Sequence, residues 1–505
     1  MNPSLIILEI TVLILGLAVL LIDLWTPVER KRFLGYGAAA GLGLILIFSF
    51  IRVRVGIEFS GEDTSGMYLL DDLALFFKRF FLVAAIIVTL MATEFADRIE
   101  TGISEFYSLV TFALLGMMFA ASAFDFTMLF VSMELITVSF YILTSFQRRR
   151  LISLEAGIKY LILGALASAF LVYGIALVYG TAGTMKFSVL AEKSGELLRT
   201  PLFLLGLLLV VMGLGFKIAA FPLQIWAPDV YQGAPAPTVA FLAVGSKAAG
   251  FVLLWRVLFY AVPQVTGRWT NMLIVIAAIT ILYGNLCALA QRNLKRLFGY
   301  SSIAHAGYLL LGIAAMAANL KNLAEGGSAI LYYLSGYLFT VLGAFAVICL
   351  AMRRAEAEDI SALAGLNERS PLLAAVMTLA MVSLAGIPPL AGFFGKFLLL
   401  KAALDQGAVN HGFYCLAGVA LVGVVISLYY YFGVIRAIYW SSQPFDASPI
   451  QVPVIQRAIL YVCMGGMLYL GIFPTWLMNV TTRTAHLERA PVVTRTSEPT
   501  YPGRL

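Results

Sequence analysis

Six ionisable side chains lie inside segments that are otherwise strongly apolar. They are Glu134, Lys159, Lys217, Lys247, His305 and Lys396. A lysine at the centre of a bilayer costs about 2.5–3.5 kcal/mol on insertion scales, and such residues mark ion or proton pathways. A buried lysine without a fixed counter-charge favours its neutral form, and histidine exchanges a proton near neutral pH. We therefore expect this set to carry protons rather than to bind a metal or an organic substrate.

Each of these residues also has a purely structural interpretation. Lys217 could serve only as an ion-pair partner of Glu134, and His305 could be a hydrogen-bonded core residue. Lys159 is the weaker candidate, because its long side chain can extend to the nearby helix end and the membrane surface. An acid near a helix end can simply be a capping residue. For Asp229, capping and a functional role have equal weight.

Prolines interrupt the segments that carry Lys217 and Lys396. Pro222 follows Lys217, and Pro388 and Pro389 precede Lys396. Because proline has no backbone N–H, a helix that meets one leaves a carbonyl without its usual partner. The carbonyls freed in this way are those of Ile218, Leu384 and Ala385. Broken helices at membrane depth are tolerated where they face protein or a water-filled cavity, which predicts a polar site there.

Other polar side chains recur at helical spacing around Glu134 and around His305. The first set is Thr127, Thr137, Tyr141 and Ser145, and the second is Ser301 and Tyr308. Polar stripes on spanning helices turn toward other helices rather than toward lipid. Both stripes are therefore predicted to face the interior of a helix bundle.

The composition places the whole chain in a membrane. Its 505 residues are 61% hydrophobic and 12% charged, against about 45–50% and about 25% in soluble domains. With about 20 apolar residues per span, an all-α polytopic protein with about fourteen transmembrane helices is predicted. The predicted spans are 4–25, 33–51, 71–93, 106–123, 126–146, 155–180, 201–224, 236–261, 270–291, 297–317, 328–352, 371–401, 411–440 and 456–479.

Several classes of function are not expected from this sequence. The four cysteines lie singly in apolar runs, so the chain lacks the clusters that hold zinc or iron–sulfur centres. It has no glycine-rich nucleotide motif. Its net charge of +7 is spread over short loops without the basic stripe of a nucleic-acid-binding protein. We expect no cofactor, metal or nucleic acid to be bound by this chain.

Lysine and arginine are concentrated in alternate loops, and this sets the expected orientation. Examples are the arginines at 148–150, the arginines at 353–354, and Lys295, which is interpreted as a loop charge. Loops rich in lysine and arginine stay on the cytoplasmic side. An even number of spans then places both chain termini outside the cytoplasm.

The spacing of the candidate residues suggests an internal duplication. Lys217 and Lys396 are 179 residues apart, and Glu134 and His305 are 171 residues apart. Paired interrupted helices in two halves are typical of repeats that meet at a site in the membrane midplane. The predicted parts are an N-terminal three-helix segment (1–105), a first repeat (106–262), a second repeat (263–440), a last helix (441–480) and a polar tail (481–505).

Three motifs make the sequence resemble a known family. They are FKIAAFPLQIWAPDVYQGAPAPTVAFLAVGSKAAGF, KRLFGYSSIAHAGYLLLG and SLAGIPPLAGFFGKFLLLKAAL, which contain Lys217, Lys247, His305 and Lys396. Together with their surroundings, from Tyr107 to Trp440, they resemble the antiporter-like membrane subunits of respiratory complex I. The resemblance implies fourteen helices, two inverted five-helix repeats, and breaks in the seventh and twelfth helices.

The resemblance also implies a role for each candidate residue. Glu134 and Lys217 would be the pair that gates the channel, Lys247 the central relay, His305 a second relay and Lys396 the terminal lysine. Two of the three antiporter-like subunit types have a lysine at the place of Lys396. One of these two types also has a long lateral helix, which this sequence lacks, so the other type is favoured. One departure is Gln224, which stands where relatives have histidine and cannot titrate.

The function implied is that of a non-redox subunit of NADH:quinone oxidoreductase, moving protons across the bacterial plasma (inner) membrane. Flavin, iron–sulfur clusters and quinone are expected in partner subunits, and the direct neighbours would be another antiporter-like subunit and small membrane subunits. One alternative is a subunit of an Mrp-like cation/proton antiporter, whose activity would depend on sodium gradients rather than on NADH. Another is a structural scaffold, in which the buried charges only fix helix packing.

Overall fold

The computed structural model describes residues 5–53, 61–62, 66–96, 102–320, 323–352, 358–441 and 448–485. Most of these residues are helical, and the structure also has a two-residue antiparallel strand pair that the sequence did not predict. The strands are β1 (Gly61–Glu62) and β2 (Leu69–Leu70). The helices are α1 (Ile7–Asp23), α2 (Lys31–Ile51), α3 (Asp72–Phe95), α4 (Ile103–Ser122), α5 (Phe126–Thr144), α6 (Leu151–Ala182), α7 (Phe187–Leu197), α8 (Pro201–Ile218), α9 (Ala227–Gly233), α10 (Ala236–Phe241), α11 (Lys247–Trp255), α12 (Pro263–Arg268), α13 (Thr270–Ala288), α14 (Leu294–Ala318), α15 (Ala324–Ala351), α16 (Leu366–Arg369), α17 (Pro371–Ala385), α18 (Ala391–Leu404), α19 (Gly412–Trp440), α20 (Val454–Ile472) and α21 (Pro474–Ala485).

Twelve helices within the described ranges are long and apolar enough to cross a bilayer, counting Ala236–Ala261 as one. The prediction of an all-α polytopic membrane protein is therefore confirmed. The twelve do not include two of the predicted spans. The first is α1, which has 17 residues, and the other is divided between α17 and α18. The full count of fourteen and the arrangement in repeats remain predictions.

Both helices that carry prolines near a buried lysine are interrupted. Helix α8 ends at Ile218, where Ala219 adopts a left-handed conformation with φ 57°, and α9 begins only at Ala227. Helix α17 ends at Ala385, and α18 begins at Ala391. In each case the prolines lie in the connection, as their missing N–H groups require.

A third irregular helix was not predicted from the sequence. The span Ala236–Ala261 contains two π-helical turns, Leu242–Ser246 and Arg256–Ala261, on either side of α11. Such turns interrupt regular α-helical hydrogen bonding and occur often at functional sites. Lys247 is the first residue after one turn, so the local geometry that aims it is not that of a regular helix.

Several predicted boundaries are wrong at the ends of the chain and after the sixth span. The last predicted helix is two helices, because Pro474 starts α21 rather than continuing α20. Residues 481–485, which were predicted to belong to a frayed tail, continue α21, and residues 486–505 lie outside the described ranges. Helix α7 lies in what was predicted to be a loop.

The helices differ in how much of their surface other helices cover. The span 236–261, α14 and α15 are buried almost throughout, whereas α2, α6, α19 and α20 leave apolar side chains on an outer face. Buried helices in a membrane protein must satisfy polar side chains among themselves. The three central elements carry Lys247, His305 and one partner of His305, Tyr333, so these two candidate residues lie in the interior of the bundle.

Candidate functional site

Glu134 on α5 and Lys217 at the end of α8 lie close enough to interact electrostatically but do not touch. Glu134 accepts a hydrogen bond from Ser168 of α6 at 2.6 Å. Lys217 is buried, donates to the hydroxyl of Thr137 and lies over the ring of Tyr160, 5.8 Å from its centroid. No ion pair within 4.0 Å joins Glu134 to Lys217 in the described part of the chain. The expected pair is held apart, each partner by a hydroxyl group.

Lys247 on α11 is buried and surrounded by groups from three other helices. Its Nζ donates to the backbone carbonyl of Ser302 on α14 at 2.6 Å and also to the Ser302 hydroxyl. That hydroxyl is hydrogen-bonded to Tyr231 of α9 at 2.7 Å. The ring of Tyr337 on α15 has its centroid 5.3 Å from Nζ. Lys247 therefore has polar partners that are all neutral.

His305 on α14 is held by two tyrosines from different helices. Its Nδ1 is hydrogen-bonded to the hydroxyl of Tyr333 on α15, and its Nε2 lies 3.0 Å from the hydroxyl of Tyr431 on α19. The Tyr431 hydroxyl is also hydrogen-bonded to Ser301 on α14. A neutral imidazole has one donor and one acceptor nitrogen, so either nitrogen can exchange its proton with a phenol hydroxyl.

Lys396 on α18 reaches back across the break to the preceding helix. Its Nζ donates to the carbonyls of Leu384 at 2.7 Å and Ala385 at 3.2 Å, at the end of α17. These are the carbonyls that the following prolines were expected to free. The broken helix thus supplies its own lysine with acceptors, and Tyr308 of α14 covers the amine with its ring 5.0 Å away.

A small cavity lies between His305 and Lys396. Its volume of about 10 Å³ is close to the minimum that holds one water molecule. Most of its wall surface is apolar, but six of its eight lining residues have polar side chains that can bond a water molecule. The lining residues are His305, Tyr333, Tyr337, Thr340, Ser383, Leu384, Gly392 and Lys396. The structure thereby brings His305 and Lys396 to one site, with room between them for a proton-carrying water.

Lys159 lies apart from these residues, in an ion cluster at the start of α6. Its Nζ is 2.7 Å from Glu155 and 2.8 Å from Asp229, and Asp229 also pairs with Arg296 at 2.5 Å. Burial would raise the pKa of the Asp229 carboxyl, but the hydrogen bonds from Lys159 and Arg296 outweigh it and hold the pKa below its ordinary value. Asp229 therefore binds two cations rather than capping a helix, and Lys159 has fixed carboxylate partners.

Lys295 is not a loop charge, as the sequence suggested. It lies in the first turn of α14, its side chain is buried, and its Nζ is 2.6 Å from Glu358 and 2.8 Å from the carbonyl of Ala234. Glu358 also approaches Arg150 at 3.6 Å. Counting apolar residues cannot reveal this burial, because the counter-charge comes from a segment about sixty residues away in sequence.

Sequence reasoning overlooked a buried charged cluster in the N-terminal segment. Glu9 of α1 and Lys78 of α3 are both almost fully buried and form an ion pair at 2.7 Å. Lys78 also donates to the hydroxyl of Tyr68 at 2.6 Å, and this hydroxyl lies 3.0 Å from Glu9. The available signal was the presence of Lys78 inside a predicted span, which carries the same meaning as the lysines that were chosen.

A second overlooked pair joins this segment to the helix of Lys247. Arg256 lies in the π-helical turn that follows α11 and is completely buried. Its guanidinium binds both carboxylate oxygens of Asp71 at 2.7 Å and 2.6 Å, and Tyr260 donates to the same carboxylate. Arg256 also stands inside a predicted span and could have been found in the same way.

Gln224 is buried in the connection between α8 and α9. Its Oε1 has no hydrogen-bond partner among the residues that the structure describes. An amide can accept a hydrogen bond at this oxygen but cannot bind and release a proton in the way that histidine does. The site thus lacks a titratable group at this position and retains a buried acceptor.

Within the described ranges, no group of three or more histidine, cysteine, aspartate or glutamate side chains could hold a metal ion. The lysines, the histidine and their hydroxyl partners are instead proton donors and acceptors. From Lys247 to Lys396, the arrangement consists of hydroxyl groups and a cavity of water size between ionisable side chains. It is suited chemically to the movement of protons through the interior of a membrane protein.

Comparison with known proteins identifies the family of this chain. A family model described as NADH:quinone oxidoreductase/Mrp antiporter, TM, matches residues 123–427, which include all six candidate residues. NADH-quinone oxidoreductase subunit N of Desulforamulus reducens is 40% identical over 485 residues, covering 96% of this chain and 98% of the relative.

Solved structures have the same fold. A chain of respiratory complex I from Thermus thermophilus with bound aureothin is 33% identical with a TM-score of 0.77, covering 94% of this chain and 98% of that chain. A chain of the Mrp complex from Dietzia sp. has a TM-score of 0.80 at 20% identity, with 96% and 97% covered, and shares the fold alone. The chain therefore belongs to the NADH:quinone oxidoreductase/Mrp antiporter family of membrane proteins and, within it, to the N subunits of NADH-quinone oxidoreductase.

Proposed function

We propose that this chain moves protons across the membrane as a non-redox subunit of an NADH-quinone oxidoreductase. The observation that carries the proposal is the set of buried lysines at Lys217, Lys247 and Lys396. Each is bonded only to hydroxyls or carbonyls, and no carboxylate lies within 4.0 Å of any of them in the described ranges. A lysine in that setting can alternate between its charged and neutral forms, which a lysine fixed in an ion pair cannot do as readily.

The proton path that we propose runs from Lys217 through Lys247 and His305 to Lys396. Ser302 contacts Lys247 directly, and its neighbour Ser301 is hydrogen-bonded to Tyr431, which reaches His305. The last step, from His305 to Lys396, crosses the cavity of about 10 Å³. A water held there would accept a proton from one side chain and pass another to the next. Lys159 has no part in this path, because its amine is tied to two carboxylates.

Glu134 controls the first step in this proposal. Its carboxylate favours the charged form of Lys217 when the two are close, and Lys217 releases its proton more readily when Glu134 is neutralised or moves away. Quinone reduction elsewhere in the complex would change the field at Glu134 through neighbouring membrane subunits, and thereby couple electron transfer to proton movement. Flavin, iron–sulfur clusters and quinone belong to those partner subunits in this proposal, and this chain binds none of them. The remaining parts of the proposal are the inner-membrane location with both termini outside the cytoplasm, and the two inverted repeats.

The proposal is tested by neutralising the lysines in the assembled complex. In membrane vesicles, Lys217→Ala and Lys396→Ala are expected to lower NADH-driven proton uptake about 100-fold, the lower end of what a positioned acid–base group contributes. Lys401→Ala is the matched control, because Lys401 lies on the same helix as Lys396 with a largely exposed side chain. Its proton uptake should equal that of the parent complex.

The outcome also separates this function from a structural role. If the buried charges only fixed helix packing, the variants would lower the amount of assembled complex but leave proton uptake per complex unchanged. Normal proton uptake per complex in both lysine variants would overturn the proposal. Replacing the NADH-driven reaction by a sodium gradient should leave the parent complex inactive, because the proposed path carries protons and the driving reaction is quinone reduction.

A further inference from the structure

Two tyrosine hydroxyls lie in the region between Glu134 and Lys217 and are not used by the path described so far. Tyr141 is on α5 and Tyr160 on α6, with their rings edge to face at a centroid distance of 5.1 Å. Both hydroxyl oxygens are buried, and neither has a hydrogen-bond partner among the described residues. Buried hydroxyls are nearly always hydrogen-bonded, so two adjacent exceptions beside Lys217 require an explanation.

Tyr160 lies against Lys217, and Tyr141 lies within electrostatic range of Glu134. The Tyr160 ring lies under the Lys217 amine, 5.8 Å from centroid to Nζ, and stacks on Trp226 at 4.8 Å. The charge of Glu134 acts on the Tyr141 hydroxyl, and the two tyrosines act on each other. The order along the site is therefore Glu134, Tyr141, Tyr160 and Lys217. This order explains how two groups that do not touch could still exchange a proton.

The position of Tyr141 depends on a glycine in the facing helix. A Cβ at Gly164 of α6 would lie 2.0 Å from the Tyr141 hydroxyl oxygen, which is impossible without displacement of the ring. Gly164 stands between Tyr160 and Ser168 at intervals of four residues, so these three share one face of α6. That face bonds Glu134 through Ser168, receives Tyr141 at Gly164 and presents Tyr160. Close approach of the two backbones is thus built into the sequence at this point.

We propose that Tyr141 and Tyr160 carry the proton between Lys217 and Glu134, a role that rests on the function proposed above. As the Lys217 ammonium gives a proton to the Tyr160 oxygen, the phenol hydrogen of Tyr160 passes to Tyr141, and that of Tyr141 passes to Glu134. Each phenol ends neutral with one hydrogen replaced by another. The net change is from ammonium and carboxylate to amine and carboxylic acid, and no other reactant is consumed.

Small movements of the two tyrosine side chains gate this transfer. In the structure neither hydroxyl oxygen has a hydrogen-bond partner among the described residues, so the chain is open, and it closes when the oxygens move within hydrogen-bond distance of their neighbours. Glu134 and Lys217 then exchange a proton without touching each other, because two movable hydroxyl groups connect them. Removing either hydroxyl should slow the exchange while leaving both rings, and hence the packing of α5 against α6, in place.

The experiment compares Tyr141→Phe and Tyr160→Phe with Tyr173→Phe, an exposed tyrosine on the same helix as Tyr160. Proton uptake per assembled complex should fall about tenfold in the first two, less than for loss of a lysine, because water can replace a hydroxyl in part. Tyr173→Phe should match the parent. A solvent isotope effect on NADH-driven proton uptake should rise in the first two variants only, and a packing defect would not change it.

Gly164→Ala provides a second, independent perturbation, since it displaces the Tyr141 hydroxyl without removing it. It should reproduce the loss seen in Tyr141→Phe, and adding it to Tyr141→Phe should cause little further loss. Lys217→Ala is measured in parallel. Normal uptake in both phenylalanine variants beside a loss in Lys217→Ala would overturn this inference and leave the proposed function standing. Normal uptake in Lys217→Ala would overturn the proposed function itself.

Discussion

Glu9 and Lys78 form an ion pair in which both side chains are buried, at 1% and 0% exposure. A substitution that removes one charge leaves the other in the apolar interior. Breaking a buried pair in this way costs about 3–5 kcal/mol, whereas replacing both partners by apolar groups is often nearly neutral. We therefore predict a large coupling energy between the two residues in a double-mutant cycle. The cycle compares Glu9→Leu, Lys78→Met and the double variant with the parent.

The structure sets the order of the two single variants. In Glu9→Leu, the ammonium of Lys78 still donates to Tyr68, and the attraction by Asp71 exceeds the repulsion by Arg256. The loss of stability should therefore be about 3 kcal/mol, the lower end of the range for one broken buried pair. In Lys78→Met, the carboxylate of Glu9 keeps only the Tyr68 hydroxyl, and its Oε2 has no hydrogen-bond partner among the residues that the structure describes. This variant should lose about 5 kcal/mol of stability.

The free energy of unfolding can be measured by titration with SDS in mixed micelles, with helical circular dichroism as the readout. The double variant should lose less than either single variant, about 0–2 kcal/mol. Lys31→Met is the control, since Lys31 pairs with Asp23 in a partly exposed position and should cost at most about 1 kcal/mol. A double variant whose loss equals the sum of the two single losses would refute the reasoning.

Two further predictions concern the ion cluster and the second helix break. Ion pairing lowers the pKa of Asp229 in the folded protein. The stabilising contribution of its carboxylate is therefore complete above the pKa of the unfolded chain, about 4, and is lost as the pH falls through the lower pKa of the folded protein. The difference in melting temperature between the parent and Asp229→Asn should thus be constant from neutral pH down to about 5 and shrink below about 4. Gly392→Ala should prevent normal assembly, because its Cβ would lie 1.8 Å from the Ser383 carbonyl, whereas Gly418→Ala, which meets nothing within 4 Å, should assemble normally in a native gel.

The backbone breaks could be predicted because proline acts locally. A missing N–H frees a carbonyl whatever the rest of the chain does, so the acceptors of Lys396 were identifiable from Pro388 and Pro389 alone. The π-helical turns beside Lys247 could not be predicted, because none of the local signals of the sequence distinguishes them from regular helix. They depend on how that span packs among its neighbours.

Buried charges were predicted only where the apolar context was unbroken. Lys217 and Lys396 stand out against their surroundings, but Lys295 lies at a helix start among other charges, and only its distant partner Glu358 shows that it is buried. Lys78 differs, because it lies inside a predicted span, where the cost of inserting a lysine already marks it as a buried charge with a partner. The partners of His305 come from helices 28 and 126 residues further along the chain, a distance that no periodicity can bridge.

The two lysines at broken helices have different kinds of partner, and this argues against treating the two breaks as equivalent. Lys396 donates to two backbone carbonyls, which can only accept a hydrogen bond. Lys217 bonds to the Thr137 hydroxyl, whose own hydrogen is donated to the carbonyl of Met133 at 2.6 Å. This hydroxyl can donate to a neutral amine only if its hydrogen turns away from Met133, whereas the carbonyls around Lys396 have no hydrogen to donate and serve the charged form best. In the function proposed above, Lys217 is therefore the lysine whose hydrogen bond can change direction when Glu134 changes, and Lys396 keeps its carbonyl partners.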